Sequence, residues 1–85
     1  MIEFDPEKDR LNMDKHGISL ARAEDIEILV SIRDIRFDEA RFRAYGLIDG
    51  ELYCLAYTMR AQRIRAISLR RSRRKEFLRY VETED

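Results

Sequence analysis

The chain contains few of the residues that build disulfide frameworks, metal sites or phosphate-binding loops. Its 85 residues include one cysteine, one histidine, one proline and three glycines. A single cysteine forms no internal disulfide, and one histidine excludes a histidine-rich metal site. The three glycines are too scattered for a glycine-rich loop that cradles phosphates. We therefore expect no metal and no cofactor, and we expect Cys54 to be a small buried apolar side chain.

Long apolar runs are also missing. No stretch approaches the roughly 18 apolar residues that a membrane-spanning helix needs, and no signal peptide opens the chain. Apolar residues make up 45% of the chain and charged residues 40%, with both signs mixed along most of it. This composition favours a folded domain over a disordered one. We expect a single cytoplasmic domain over residues 1–85, without a membrane partner.

Charge is abundant but unevenly placed. Residues 60–81 contain nine basic residues and one acid, Glu76, in a chain whose net charge is zero. Residues 1–59 carry a net charge of −5, and the last four residues carry the remaining −3. A cationic segment on a small domain predicts a polyanionic partner, and RNA or DNA is the usual one. The alternative is a solvated face without a partner.

Capping signals predict three helices, two at the start of the chain and one at its end. Asp5 and Pro6 are typical of the first turn of a helix, and Gly17 is typical of the residue that ends one. Ser19 and Ser72 are candidate N-caps for the other two helices. The three predicted helices cover residues 6–16, 20–26 and 73–82.

Four strands are predicted between the helices. They cover residues 27–35, 41–48, 52–59 and 63–69. In the first strand, Ile28, Val30 and Ile32 are expected to share one face. Asp49 and Gly50 form the sequence of a two-residue hairpin, because both turn residues must adopt positive φ angles. The third strand is apolar on both faces, which predicts a central strand covered on each side.

The order of elements defines the fold class. Short links between the strands predict an antiparallel meander, since sequential strands usually pair. Helices segregated at the two ends of the strand block predict an α+β fold. The fold class is therefore α+β, with two N-terminal helices, a four-stranded antiparallel sheet and a C-terminal helix.

A small domain can cleave RNA with few groups, because the 2′-OH of the substrate is the nucleophile. The protein must bind phosphate, move a proton and stabilise the charged phosphorane. Arg63 and Arg65 lie two residues apart, so they share a face of the fourth strand next to the basic helix. Groups that can move a proton are Lys15, His16, Glu39, Tyr57, Glu76 and Tyr80.

Structural roles compete with these chemical ones. The ring of His16 can cap the first helix, and Tyr57 can be a core residue with a bonded hydroxyl group. Glu76 can form an ion pair on the helix surface with Arg73 or Arg79. These alternatives remain open at this point.

The motifs, taken in order, resemble the BrnT toxins of bacterial BrnT/BrnA toxin–antitoxin systems. The resemblance rests on Asp5-Pro6, Lys8, Asn12, Lys15-His16-Gly17-Ile18-Ser19, Glu39, Arg41-Phe42, Gly46, Asp49-Gly50, Tyr57-Thr58, residues 63–68, Arg70-Arg71, Glu76 and Tyr80. Four positions depart from the pattern of the family, namely Phe4, Leu20, Arg22 and Leu69. The resemblance implies a fold like that of RelE-type ribonuclease toxins and an RNA-cleaving activity that halts translation.

The resemblance also implies partners and a set of site residues. The expected partner is a BrnA-like ribbon-helix-helix antitoxin, which brings the pair to promoter DNA. The positive charge of residues 60–79, and not the resemblance, predicts that the antitoxin covers part of them. The predicted catalytic residues are Lys15, His16, Glu39 and Arg65, with Arg65 stabilising the transition state. The predicted RNA-binding residues are Arg41, Arg63, Arg70, Arg71, Arg74, Glu76 and Tyr80. The alternative is a non-enzymatic module that binds nucleic acid or protein through the same basic strand and helix.

Overall fold

The computed structural model describes residues 2–36, 38 and 40–82. Its elements are α1 (Pro6–His16), a 3₁₀ helix (Leu20–Asp25), β1 (Glu27–Arg33), β2 (Arg41–Ile48), β3 (Glu51–Arg60), β4 (Arg63–Arg71) and α2 (Arg74–Glu82). The strands form one antiparallel sheet in the order β1-β2-β3-β4. The predicted α+β class and the predicted meander are confirmed.

Helix α1 begins and ends where its capping residues predicted. The Asp5 side chain accepts a hydrogen bond from the Glu7 amide at 3.1 Å, and Pro6 occupies the first helical position. At the other end, Gly17 adopts a left-handed conformation with φ of 72° and donates its amide to the Met13 carbonyl at 2.8 Å. These local interactions fix where Lys15 and His16 lie at the end of α1.

The second predicted helix is a 3₁₀ helix and not an α-helix. Leu20 and Ala23 are three residues apart and both are buried, which suits three residues per turn. Ser19 caps this helix as predicted, by accepting the Ala21 amide at 3.1 Å. The Asp9 carboxylate of α1 accepts hydrogen bonds from the Ser19 hydroxyl and the Leu20 amide, at 2.8 and 2.6 Å. The short helix is thereby held against α1.

Strand β1 ends two residues earlier than predicted. Asp34 accepts the backbone amide of Arg36 at 3.2 Å, so the chain turns immediately after Arg33. Ile35, which was assigned to the strand, is 88% exposed. A hydrogen bond accepted by the aspartate side chain therefore overrides the β preference of the isoleucine.

The predicted common face of β1 is partly wrong. A bulge between Ile28 and Val30 shifts the register against β2. Val30 is buried and Ile32 packs partly against it, but Ile28 is 45% exposed. One inserted residue therefore moves Ile28 off the face that Val30 and Ile32 share.

Two tight turns join the last three strands. Asp49 and Gly50 have φ angles of 51° and 78°, so the hairpin predicted from their sequence is confirmed. Ala61 and Gln62 also have positive φ angles, of 52° and 66°, and Arg60 pairs with Arg63 across the turn. The second turn is therefore shorter than the three residues predicted, while β4 extends two residues further.

One face of the sheet packs against the 3₁₀ helix, and α1 lies along β4 at the edge of the sheet. The main core of the protein lies here and contains Leu20, Ala23, Ala44, Ile48, Leu55, Tyr57, Ala66 and Leu69. The Tyr57 hydroxyl lies 2.7 Å from the Ser31 hydroxyl, so Tyr57 is a core residue with a bonded hydroxyl group. This structural role was the alternative to proton transfer.

Helix α2 covers part of the opposite face. Phe77 and Tyr80 pack on Val30, Tyr45 and Cys54, which form a second, smaller core. The prediction that β3 is covered on each side is therefore confirmed only in part, because α2 covers Cys54 while Ala56 and Thr58 stay half-buried. Cys54 is buried, also as predicted, and burial raises the pKa of its thiol.

The start of α2 differs slightly from the prediction. Ser72 was expected to cap the helix, but the Arg73 carbonyl accepts the amides of Glu76 and Phe77 at 3.1 and 3.2 Å. The Ser72 hydroxyl donates instead to the Arg73 carbonyl at 3.1 Å.

Within the part of the chain that the structure describes, no helix has the length and apolar character to cross a membrane.

Gly46 in β2 is required by a close approach of two strands. A Cβ atom at this position would lie 2.3 Å from the Glu27 carbonyl oxygen and 2.9 Å from Cγ1 of Ile26. No other residue fits without moving the start of β1. The glycine therefore keeps β1 paired with β2.

Candidate functional site

A groove with a floor of small side chains crosses the sheet face that α2 only partly covers. The floor is formed by Cys54, Ala56 and Thr58 of β3. Their cross-strand partners, which share this face, are Tyr45, Arg43 and Arg41 on β2 and Arg70, Ser68 and Arg65 on β4. We call this feature the arginine groove, since arginines of β2 and β4 stand on both sides of it. It contains a cavity of about 290 Å³.

A second cavity, the α1–β4 cavity, lies at the edge of the sheet and measures about 410 Å³. Lys15 and His16 line it from α1, and Ser68 and Arg70 line it from β4. Ser68 and Arg70 also line the arginine groove, so the two spaces adjoin. Residues that are far apart in the sequence, Lys15, His16 and Arg70, therefore meet at one place.

Asn12 holds these two parts together, and sequence reasoning did not select it as a site residue. Its buried amide nitrogen donates to the carbonyls of Leu69 at 2.8 Å and Ile18 at 2.9 Å. Its oxygen accepts the Leu69 amide at 3.0 Å. The end of α1 is thereby fixed to β4 beside Arg70. A single polar residue in a largely polar helix gives no periodic signal of this role.

His16 has an environment suited to accepting a proton. Burial lowers the pKa of its imidazole, and the positive charges of Lys15 and Arg70 lower it further. A histidine with a pKa below 6.5 is mostly neutral at pH 7. His16 is therefore available as a base in its resting state.

Glu76 forms the centre of a half-buried hydrogen-bond network. Arg70 donates from both terminal nitrogens to the two carboxylate oxygens, at 3.1 and 2.8 Å, and the Tyr45 hydroxyl donates at 2.6 Å. The Arg70 hydrogen bonds are the main reason that the pKa of Glu76 falls to about 2. Burial, followed by the hydrogen bond to Glu76, raises the pKa of Tyr45.

This network corrects the expectation of a surface ion pair within the helix. Glu76 lies beside Arg70 of β4, and its carboxylate is also 3.8 Å from Arg43 of β2. The contact therefore ties α2 to two strands of the sheet. Arg70 is held in one orientation by a bidentate partner, with its pKa raised chiefly by that hydrogen bond.

Arg43 was missed by sequence reasoning, although it alternates with Arg41 and Tyr45 on one face of β2. It donates to the Tyr80 hydroxyl at 3.0 Å, and its guanidinium carbon lies 5.3 Å from the centre of the Tyr80 ring. The rings of Tyr80 and Tyr45 stack at 5.4 Å. Tyr80 therefore positions Arg43 at the boundary between the groove and α2.

Asp34 was also missed, because the residues around it read as a strand. Only 4% of its surface is exposed, and it binds the Arg36 side chain through two hydrogen bonds of 2.9 and 2.6 Å. Its carboxylate lies 3.6 Å from Nε of Arg43. The hydrogen bonds from Arg36 hold the pKa of Asp34 far below its usual range. Asp34 thus orients Arg43 and also Arg36, which lines the cavity of the groove.

The other predicted site residues lie further from this meeting point. Arg63 and Arg65 both lie beside Glu3, at 3.3 and 3.8 Å, while Arg71 pairs with Glu51. Arg74 is exposed on α2, and Glu39 falls outside the described residues. The basic surface predicted for residues 60–81 is therefore partly neutralised along β4, where Arg63, Arg65, Arg70 and Arg71 each lie beside an acid.

We expect Glu76→Gln to lower the free energy of unfolding by roughly 2–3 kcal/mol at pH 7. The folded-state pKa of about 2 lies below the ordinary value of 4.5. The ionised Glu76 carboxylate therefore makes its full contribution to stability above pH 4.5, and this contribution is lost as the pH falls through 2. Urea denaturation of both proteins between pH 7 and pH 2 measures the difference.

The matched control is Glu51→Gln, which removes a carboxylate that pairs with an arginine on the open surface. The side chains of Glu51 and Arg71 are 52% and 62% exposed, so we expect a loss below about 1 kcal/mol. Equal losses for the two variants, or a Glu76→Gln loss that does not change with pH, would contradict this account.

In residues 2–36, 38 and 40–82, no group of three or more acidic, histidine or cysteine side chains is placed to hold a metal ion. The polar groups that converge are mainly cationic or neutral, and the two carboxylates among them, Asp34 and Glu76, are both paired with arginines. The site contains guanidinium groups on both walls, a neutral imidazole and a lysine. This arrangement can bind a phosphodiester and transfer protons to and from the groups that react at it.

Comparison with known proteins agrees with this chemistry. The family model described as "Ribonuclease toxin, BrnT, of type II toxin-antitoxin system" matches residues 4–76. A search of curated proteins found no significant match. The crystal structure of the Brucella abortus ribonuclease toxin BrnT has a similar fold, with a TM-score of 0.63 and 21% sequence identity. The match covers 86% of this chain and 96% of that one. Because the family model spans most of the sequence, the chain belongs to the BrnT family of ribonuclease toxins of type II toxin–antitoxin systems.

Proposed function

We propose that the arginine groove and the α1–β4 cavity together form the RNA-cleaving site, with Arg70 at the scissile phosphate. One observation carries the proposal: Arg70 lines both spaces. It therefore stands between the proton-transfer groups of α1 and the phosphate-binding groups of the sheet. Its guanidinium remains charged at physiological pH, and the N–H groups that do not bond Glu76 can donate to phosphate oxygens.

The proposed reaction is attack of a ribose 2′-OH on the adjacent phosphorus atom. His16 accepts the proton of the 2′-OH, because its lowered pKa leaves it neutral. Arg70 and Arg43 stabilise the negative charge of the phosphorane. The bond from phosphorus to the 5′-oxygen then breaks, and Lys15 donates a proton to that oxygen. The products are a 2′,3′-cyclic phosphate and a 5′-hydroxyl. Glu39 remains a further predicted proton-transfer residue.

The row formed by Arg41, Thr58 and Arg65 supports binding of a neighbouring phosphate. Arg41 and Arg65 face the same side of the sheet from strands on either side of β3. Neighbouring strands are roughly 4.8 Å apart, so these arginines start about 10 Å from each other. Their side chains can therefore close on one phosphate. Arg63, Arg71 and Arg74 are then contacts at the margin of this surface.

We also propose that cleavage requires no metal ion. Arginines supply the positive charge that a metal would otherwise bring to the phosphorane. Cleavage in the presence of EDTA at the same rate as in Mg²⁺ supports this proposal. Activity that disappears in EDTA and returns with Mg²⁺ would contradict it.

The proposed partner is a BrnA-like ribbon-helix-helix antitoxin in the bacterial cytoplasm, through which the toxin reaches promoter DNA. Four bases on or beside α2, namely Arg73, Arg74, Lys75 and Arg79, are exposed and suit an acidic segment of such a partner. Hydrogen exchange of the complex should show protection within residues 60–79. Protection confined to α1 would contradict this placement.

Induced expression in a bacterial host tests the function. The ribonuclease is expected to arrest growth with loss of RNA, and co-expression of the antitoxin is expected to restore growth. Normal growth, together with binding of RNA that is never cleaved, would instead support the non-enzymatic module.

A further inference from the structure

A third cavity lies between α2 and the sheet, and the proposed reaction uses only Arg43 of its lining. This α2 cavity measures about 400 Å³, which is within the range of sites that hold small molecules. Its charged lining consists of Arg43, Arg73, Lys75, Arg79 and Glu76. Four cations thus face one acid, and that acid is already bound by Arg70. The cavity therefore favours an anion.

The α2 cavity continues directly from the arginine groove. Arg43 lines both spaces, in the same way that Arg70 lines both the groove and the α1–β4 cavity. The side chain of Arg43 is only 20% exposed and is held by Tyr80 and Asp34, so the junction is well ordered. Three adjoining cavities therefore form one cationic path from the end of α1 to α2.

The path favours a single strand over a double helix. Its three cavities are lined from α1, from the sheet and from α2. Successive phosphates of a single strand can enter separate cavities, because the backbone torsions are free. A double helix is stiff over roughly 50 nm and holds its phosphates at fixed positions, so it fits this path poorly.

We propose that the α2 cavity is a remote subsite that binds the phosphate of a nucleotide beyond the scissile one. The substrate is then a single RNA strand of at least three nucleotides, one for each cavity. This inference rests on the proposed function of the groove. Remote binding energy of this kind accelerates the cleavage of long substrates, while a dinucleotide does not reach the subsite.

The experiment compares the wild type with the double variant Arg73→Ala/Arg79→Ala. Cleavage is measured on a dinucleotide and on an unstructured RNA of about ten nucleotides. We expect kcat/KM to fall roughly tenfold more for the longer RNA, mainly through KM, because only the longer RNA loses two exposed phosphate contacts. The slope of log affinity against log salt should become less negative by roughly 1.4.

The matched control is Arg10→Ala/Arg33→Ala, which removes the same charge at exposed positions outside the three cavities. The control should keep the length preference of the wild type. An equal loss on both substrates, or a loss no larger than that of the control, would overturn the subsite. In parallel, fluorescence anisotropy measures binding of a 2′-deoxy-substituted strand. Length-dependent binding of this strand, together with no cleavage of the matching RNA, would overturn the proposed function and still support the subsite.

Discussion

Replacing Arg70 with alanine is expected to reduce RNA cleavage by roughly 100- to 1,000-fold, because the phosphorane loses its main charged hydrogen-bond donor. Arg70 is also the residue that joins the groove to the α1–β4 cavity. Arg70→Lys should be impaired as well, since a point charge cannot reproduce a planar fork. Single-turnover cleavage of a single-stranded RNA measures the effect, and growth arrest on induction provides a second readout.

The Arg70 variant needs a control for folding, and the pairing of Arg70 with Glu76 suggests which one. Arg70→Ala leaves the Glu76 carboxylate half-buried without its main partner, which destabilises the protein. The double variant Arg70→Ala/Glu76→Gln removes that charge and should fold better while remaining inactive. Arg33→Ala, at an exposed position outside the cavities, should retain full activity. A folded double variant with wild-type cleavage would remove Arg70 from the site.

Arg65 provides a direct comparison with Arg70. The sequence suggested Arg65 as the stabilising residue, and the structure places it in the groove beside Glu3, two rows from Arg70. The geometry predicts that Arg65→Ala weakens RNA binding while Arg70→Ala weakens the chemical step. The reverse pattern would move the scissile phosphate towards Glu3.

Replacing His16 with alanine is expected to slow cleavage by roughly 100-fold or more, because the 2′-OH loses its general base. A base works in its neutral form, so the wild-type rate should fall as the pH drops through the lowered pKa of His16. Lys15→Met removes one of the charges that lower this pKa, so the acid limb should move to higher pH. The pH dependence of kcat/KM for the wild type and the two variants measures both effects.

One outcome would contradict the role of His16 as the base. If the pH profile of His16→Ala kept its acid limb, the base would be another group, and Glu39 is the next candidate. A limb that stays in place in Lys15→Met would show that the two charges do not interact. Circular dichroism of each variant checks that α1 remains folded.

The sequence predicted the parts of the fold that depend on neighbouring residues. Asp5 and Gly17 bound α1 as expected, and Asp49-Gly50 forms its hairpin, because each acts on its own backbone. The errors arise where a side-chain hydrogen bond or an inserted residue, neither of which shows in the alternation of apolar residues, overrides the β preference. Asp34 binds Arg36 and ends β1, and a bulge turns Ile28 away from the face of Val30.

The site was harder to predict than the fold. Lys15, His16 and Arg70 were chosen for their chemistry and for the family resemblance, and the structure brings them to adjoining cavities. Arg43 and Asn12 were not chosen, because their importance depends on which strand and helix they contact. In β3, every second residue from Cys54 to Thr58 is small, and this pattern is typical of the floor of a groove. In β2, the alternation of residues between the two faces places Arg43 on the wall of that groove.

The most direct test of the central claim is the chemistry of the cleaved ends. Purified toxin is incubated with a single-stranded RNA in EDTA, and mass spectrometry identifies the products. The account predicts 2′,3′-cyclic phosphate and 5′-hydroxyl ends, no cleavage where the scissile ribose is replaced by 2′-deoxyribose, and loss of these products in Arg70→Ala. Products with 5′-phosphate and 3′-hydroxyl ends, or cleavage at the deoxy position, would contradict it.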